Sequence, residues 1–108
     1  MDEPSLIEFL VEHYLPGATQ EELRAASSRL ADAAGDLALT GEPVRYLGST
    51  IVPAEESCFS RFEGGSEAVV RRALERSEVA YARVHVAEAV HPTSERKPHQ
   101  EGPWSSNV

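Results

Sequence analysis

A single cysteine in 108 residues leaves no partner for an intramolecular disulfide framework. Aromatic residues make up only 6% of the chain, so any core rests mainly on aliphatic side chains. No run of about 18 apolar residues is present to cross a bilayer as a helix. The first residues include Asp2, Glu3 and Glu8 rather than a basic stretch followed by an apolar one. That is not the pattern of an export signal, and the expectation is a cytoplasmic protein with no membrane partner. Basic residues are also scarce, 10 against 18 acidic ones, for a formal charge of −8. Nucleic-acid binding leaves a basic footprint, so no nucleic-acid partner is expected. The acidic excess is compatible with cations, although ordinary solubility charge is the commoner reason for it. No nucleophile elbow, phosphate loop or dinucleotide fingerprint occurs; Gly64-Gly65-Ser66 reads as a turn and a helix cap.

What remains is strongly patterned. Leu6–Tyr14 alternates as a strand, with Ile7, Phe9, Val11 and His13 on one face and Leu6, Glu8, Leu10, Glu12 and Tyr14 on the other. Leu10 among glutamates implies that this second face is covered, as by a second subunit. Pro16-Gly17 stops the strand, and Thr19-Gln20-Glu21-Glu22 has the capping-box spacing of a helix start. Leu23, Ala26, Leu30, Ala33 or Ala34, and Leu37 recur every three or four residues as one apolar stripe. Gly41 suits the end of that helix and Pro43 cannot continue it. Val44–Val52 and Ser57–Glu63 read as a strand pair joined through Pro53–Glu56, with Val44, Tyr46, Gly48, Thr50 and Val52 sharing a face. A helix from Ser66 to about Ser77 buries Val69, Val70, Ala73 and Leu74, and Arg83–Val90 reads as the last strand.

The order β-α-β-β-α-β predicts an α+β, ferredoxin-like sandwich: a four-stranded antiparallel sheet with two helices on one face. The domain is expected over residues 6–91. Residues 92–108 are polar and Pro-rich, without periodicity, and read as a disordered tail in which Trp104 is the one residue suited to docking.

Four segments occur in order: Val11-Glu12-His13-Tyr14-Leu15-Pro16-Gly17, Pro43-Val44-Arg45-Tyr46-Leu47, Cys58-Phe59-Ser60-Arg61-Phe62-Glu63, and Ser66-Glu67-Ala68-Val69-Val70-Arg71. Together they resemble the small actinobacterial nickel-binding, or nickel-responsive, proteins with a ferredoxin-like fold. The resemblance implies a homodimeric cytoplasmic protein that binds metal and has no clear enzymatic activity. Relatives often carry a cysteine two residues before the Phe-Glu of the third strand, where this chain has Ser60. A thiolate ligand would then have to be Cys58.

The residues themselves offer a matching constellation. In this topology the end of the first strand lies beside the starts of the third and fourth. His13, Cys58 and His85 are therefore candidate ligands for nickel or another divalent transition metal, to which imidazole and thiolate are suited. Glu12 or Glu63 would add an oxygen if its face agrees. Convergence requires all three to share one face of the sheet, and strand parity is not fixed by sequence. Against ligation, a free cysteine usually serves as a small buried hydrophobe, and a histidine at a strand end is commonly just a polar surface residue. Two further readings stand beside metal binding. One is a small dimeric α+β barrel enzyme of the monooxygenase or isomerase type, using Tyr14, Tyr46, His13 and Arg45 around an apolar pocket. The other is a ligand-free structural or regulatory dimer.

Overall fold

The computed structural model describes residues 6–90 and 92. Strands β1 (Ile7–Tyr14), β2 (Val44–Val52), β3 (Ser57–Gly64) and β4 (Arg83–Ala87) alternate with helices α1 (Gln20–Leu39) and α2 (Glu67–Ser77) in the order β1-α1-β2-β3-α2-β4. The sheet order is β2-β3-β1-β4, antiparallel throughout. This is the ferredoxin-like arrangement, with β1 between β3 and β4 as the element order requires. The tail from residue 93, Trp104 included, lies outside the described residues.

Local chemistry explains the elements. Thr19 and Glu22 form a reciprocal capping box, with the Glu22 amide donating to Thr19 Oγ1 at 3.0 Å and the Thr19 amide to Glu22 Oε1 at 2.9 Å. At the far end of α1, the Gly41 amide donates to the Ala38 carbonyl and the Glu42 amide to the Leu37 carbonyl, a Schellman closure that needs the positive φ of Gly41. A short 3₁₀ turn, Pro53–Glu55, links β2 to β3, and Ser66 caps α2 through the Val69 amide.

Both helices cover one face of the sheet. Phe9, Val11, Val44 and Phe62 from the strands meet Leu30 and Ala34 of α1 and Val69, Val70, Ala73 and Leu74 of α2. Each large aliphatic or aromatic side chain buried here contributes about 1.5–3 kcal/mol, and Phe9 and Phe62 are the bulkiest of the set. The opposite face carries cross-strand ion pairs, Arg61 with Glu8 and Arg45 with Glu63, around the half-covered Leu10 and Phe59.

Two strand expectations are corrected. The last strand ends at Ala87, not Val90. More importantly, β2 does not keep a single parity. The register passes from Tyr46↔Phe62 to Gly48↔Arg61, leaving Leu47 as an extra residue in a β-bulge. Gly48 takes φ +128°, a conformation that side-chain-bearing residues rarely adopt. Beyond the bulge the faces exchange. Val44 and Tyr46 point to the helices, but so do Ser49 and Ile51, while Gly48, Thr50 and Val52 turn to the open face.

Candidate functional site at the His13 end of the sheet

His13 is the last helix-facing residue of β1, and its exposure is 1%. Cys58 lies directly opposite on β3 and is also buried. The register thus brings two of the three expected ligands together beneath the N-terminal half of α1. They line a narrow space with Leu15, Leu23, Ser27 and Ser49. Its usable volume of about 10 Å³ is at the limit for one water molecule. Cys58 also lines a larger outer cleft of about 280 Å³, between Leu15, Leu23, Ile51 and Pro53. That cleft falls just short of the roughly 300–1,000 Å³ of small-molecule pockets, and it gives the thiol an approach from the surface.

Hydrogen bonds fix the imidazole. Nδ1 lies 2.8 Å from the carbonyl oxygen of Ala80 in the α2–β4 loop. A carbonyl only accepts, so Nδ1 carries the hydrogen and Nε2 presents its lone pair. That loop is itself held, because the Ala82 amide donates to the Glu12 carbonyl at 2.7 Å. Nε2 faces Ser60 Oγ at 2.9 Å. Ser60 is fully buried, and its hydroxyl meets Ser49 Oγ at 2.9 Å. Ser49 in turn meets the Tyr46 hydroxyl at 2.6 Å, and Tyr46 meets Ser27 Oγ of α1 at 2.6 Å. The bulge makes this chain: without Leu47 as an extra residue, Ser49 would sit on the other side of the sheet.

Burial holds the His13 pKa below the ordinary imidazole value, partly offset by the bond to Ala80. Burial pushes the Cys58 thiol up, opposed by the neighbouring Ser49 and Ser60 hydroxyls. Both groups are therefore uncharged near neutral pH. The imidazole is already in its metal-binding form, whereas the thiol must shed a proton to become a thiolate.

His85 does not join them. It pairs with Leu10, which places it on the open face, where Nε2 lies 3.3 Å from Glu12 Oε1 in a half-exposed contact. Glu12 and Glu63 share that open face. The correction has a simple cause: His85 is offset by one residue from the parity that faces the helices. Among the described residues, no three His, Cys, Asp or Glu side chains gather into a metal centre. The polar groups considered for a barrel enzyme also divide. His13 and Tyr46 face the helices, whereas Tyr14 and Arg45 lie on the open side. Ser49, Ser27 and the Ala80 carbonyl were not legible as site groups. The one sequence signal for Ser49 was Gly48, since a glycine inside a strand often marks a bulge.

The model of the nickel-responsive, SCO4226-like protein family matches residues 9–86, which include both helices, β2 and β3 in full and most of β1 and β4. The chain belongs to the SCO4226-like family. The crystal structure of SCO4226 from Streptomyces coelicolor A3(2) shares the fold, with a TM-score of 0.66 and 22% identity over 78% of this chain and 99% of that one. No curated protein matches the sequence. In this member of the SCO4226-like family, His13 and Cys58 are the paired imidazole and thiol on the helix-facing side of β1 and β3, with Ser60 between the imidazole and the other hydroxyls.

Proposed function

We propose that this chain is a small cytoplasmic homodimer that binds nickel, or another divalent transition metal, as a buffer or responder. One observation carries the reading. His13 is a buried neutral imidazole with Nδ1 tied to a backbone carbonyl and Nε2 accepting from the Ser60 hydroxyl, and it lines one small space with Cys58. Histidine ligands typically have their second nitrogen fixed in this way, which sets the tautomer and the ring orientation. Imidazole nitrogen with thiolate sulfur suits nickel, zinc or copper, and the nickel-responsive family description favours nickel among them. Two protein donors do not fill a coordination shell, so water, a serine hydroxyl or a second subunit would supply the rest. His85 stands outside this pair and is not needed by it.

The test is native mass spectrometry of the full chain titrated with Ni²⁺ and separately with Zn²⁺, beside a His13→Ala, Cys58→Ser double variant. Discrete nickel-loaded species at sub-stoichiometric metal, lost in the double variant, are expected. Equal binding by the double variant would overturn the site. The mass of the loaded species reports directly whether the chain is a dimer.

A further inference from the structure

We propose that the outer cleft, between the start of α1 and the β2–β3 turn, binds a compact organic cation: a primary ammonium on a small hydrocarbon body. The proposal does not depend on a metal at His13.

Two turns clamped together build the cleft. One wall is the β1–α1 connection with the first turns of α1, and the other is the turn from Pro53 to Glu56. The Leu15 amide donates to the Glu56 carbonyl at 3.1 Å and ties the walls to each other. Gly17 at φ +74° and Glu56 at φ +55° shape the two turns, and the capping box fixes where α1 begins. Glu56 is one of two non-glycine residues with positive φ among those described, and such outliers cluster at ligand clamps. The floor is the end of the β2–β3 ladder, where Ile51 pairs with Cys58. The cleft is therefore preformed, as small-molecule sites usually are.

Size, lining and charge select the occupant. An apolar cavity of about 150 Å³ holds benzene, so the 280 Å³ of this cleft takes a ring with a short arm, roughly ten heavy atoms. Leu15, Leu23, Ile51 and Pro53 supply a largely hydrocarbon lining, and Ile51 is 37% exposed. Hydrocarbon laid against these side chains leaves water, which is the main source of affinity in such a site. Among the described residues on the lining, Glu56 alone is charged. Glu55 precedes it, and Glu21 and Glu22 stand in the first turn of α1, where they answer the partial positive charge of the helix start. The cleft is thus negative. A carboxylate ligand would face Glu56 without a counter-charge, whereas an ammonium beside it forms a charge-assisted hydrogen bond. Gln20 and Ser57 on the same lining are neutral acceptors for the remaining ammonium hydrogens.

The experiment titrates the full ¹⁵N-labelled chain with 2-phenylethylamine, 2-phenylethanol and phenylacetate at neutral pH and one ionic strength. The three probes share a phenyl ring and a short arm and differ in charge. Amide shifts from two-dimensional NMR locate each probe and give its affinity. Expected are shifts on the lining, at Leu23, Ile51, Ser57 and Cys58, with the amine bound about threefold more tightly than the alcohol, the ordinary worth of an exposed ion pair. The carboxylate should bind most weakly. Glu56→Gln should erase the advantage of the amine and leave the affinity of the alcohol as it was. Ile51→Trp fills the cleft from a half-exposed strand position and should abolish binding of both; Glu56→Gln, on an exposed turn, decides the matter if Ile51→Trp does not fold. If the alcohol or the carboxylate binds wild type as tightly as the amine, or the amine keeps its advantage in Glu56→Gln, the assignment of a cationic ligand is overturned. If the amine shifts no lining amide, or shifts them equally in Ile51→Trp, the site itself is overturned.

Discussion

The same substitution, glycine to alanine, should change stability in opposite directions at Gly48 and Gly35. A Cβ built at either position meets no atom within 4 Å, so neither change carries a steric clash. What differs is the backbone. Gly48 holds φ +128° in the β2 bulge, a region nearly closed to alanine. Holding a residue there costs about 1–3 kcal/mol. Gly35 lies in the exposed middle of α1, where alanine gains about 0.5–1 kcal/mol over glycine. One kcal/mol moves the midpoint of a domain of this size by about 4–8 °C. Gly35→Ala should therefore raise Tm by a few degrees. Gly48→Ala should lower it by an amount on the order of 10 °C. Differential scanning calorimetry on the two variants and the wild type decides the matter. An unchanged or raised Tm for Gly48→Ala would refute the bulge, and with it the placement of Ser49 beside Ser60. The His13 ring signals should also move in Gly48→Ala and stay put in Gly35→Ala, because only the former disturbs the contacts from Tyr46 through Ser49 and Ser60 to His13.

Other outcomes follow from the same structure. Thr19→Ala removes one half of the capping box and should cost about 1 kcal/mol in urea unfolding, with an unchanged m-value. Phe62→Ala opens a hole in the centre of the sheet, where Phe62 is fully buried, and should cost about 3–5 kcal/mol. Stability should also fall on both sides of neutrality. Below the ordinary imidazole value of 6.5, the unfolded chain takes up a proton that buried His13 resists, so stability declines with falling pH until the folded pKa is passed. Above the ordinary thiol value of 9.0, the unfolded chain releases a proton that buried Cys58 retains, so stability declines as pH rises. Denaturation midpoints measured from acid to alkaline pH for wild type, His13→Gln and Cys58→Ser test this. Each variant should lose its own limb of the difference, and identical profiles would refute the assignment.

Most of the fold was legible because its signals are local. The capping box at Thr19, the apolar stripe of α1, the Gly41 closure and the alternation of β1 each depend on residues within a few positions of one another. Their order alone identified the ferredoxin-like arrangement. The site was only half legible. His13 and Cys58 stand out because imidazole and thiol are rare in this chain, and the topology brings their strand ends together. His85 carries the same chemistry, yet it points away, because a shift of one residue in a strand moves a side chain through the sheet. The Ala80 carbonyl could not be anticipated at all, since a backbone group in a loop leaves no mark in sequence.

The amino-acid sequence by itself determined the elements, their order, the apolar faces that join them and the family to which the chain belongs. Tertiary structure alone decided which polar groups meet. That depends on the register between strands far apart in sequence and on one extra residue, Leu47, in β2. Side chains alternate faces with a period of two, so a single inserted residue reverses every assignment beyond it. Hydrophobic burial averages over many residues and survives such a shift, whereas a constellation of a few donors does not.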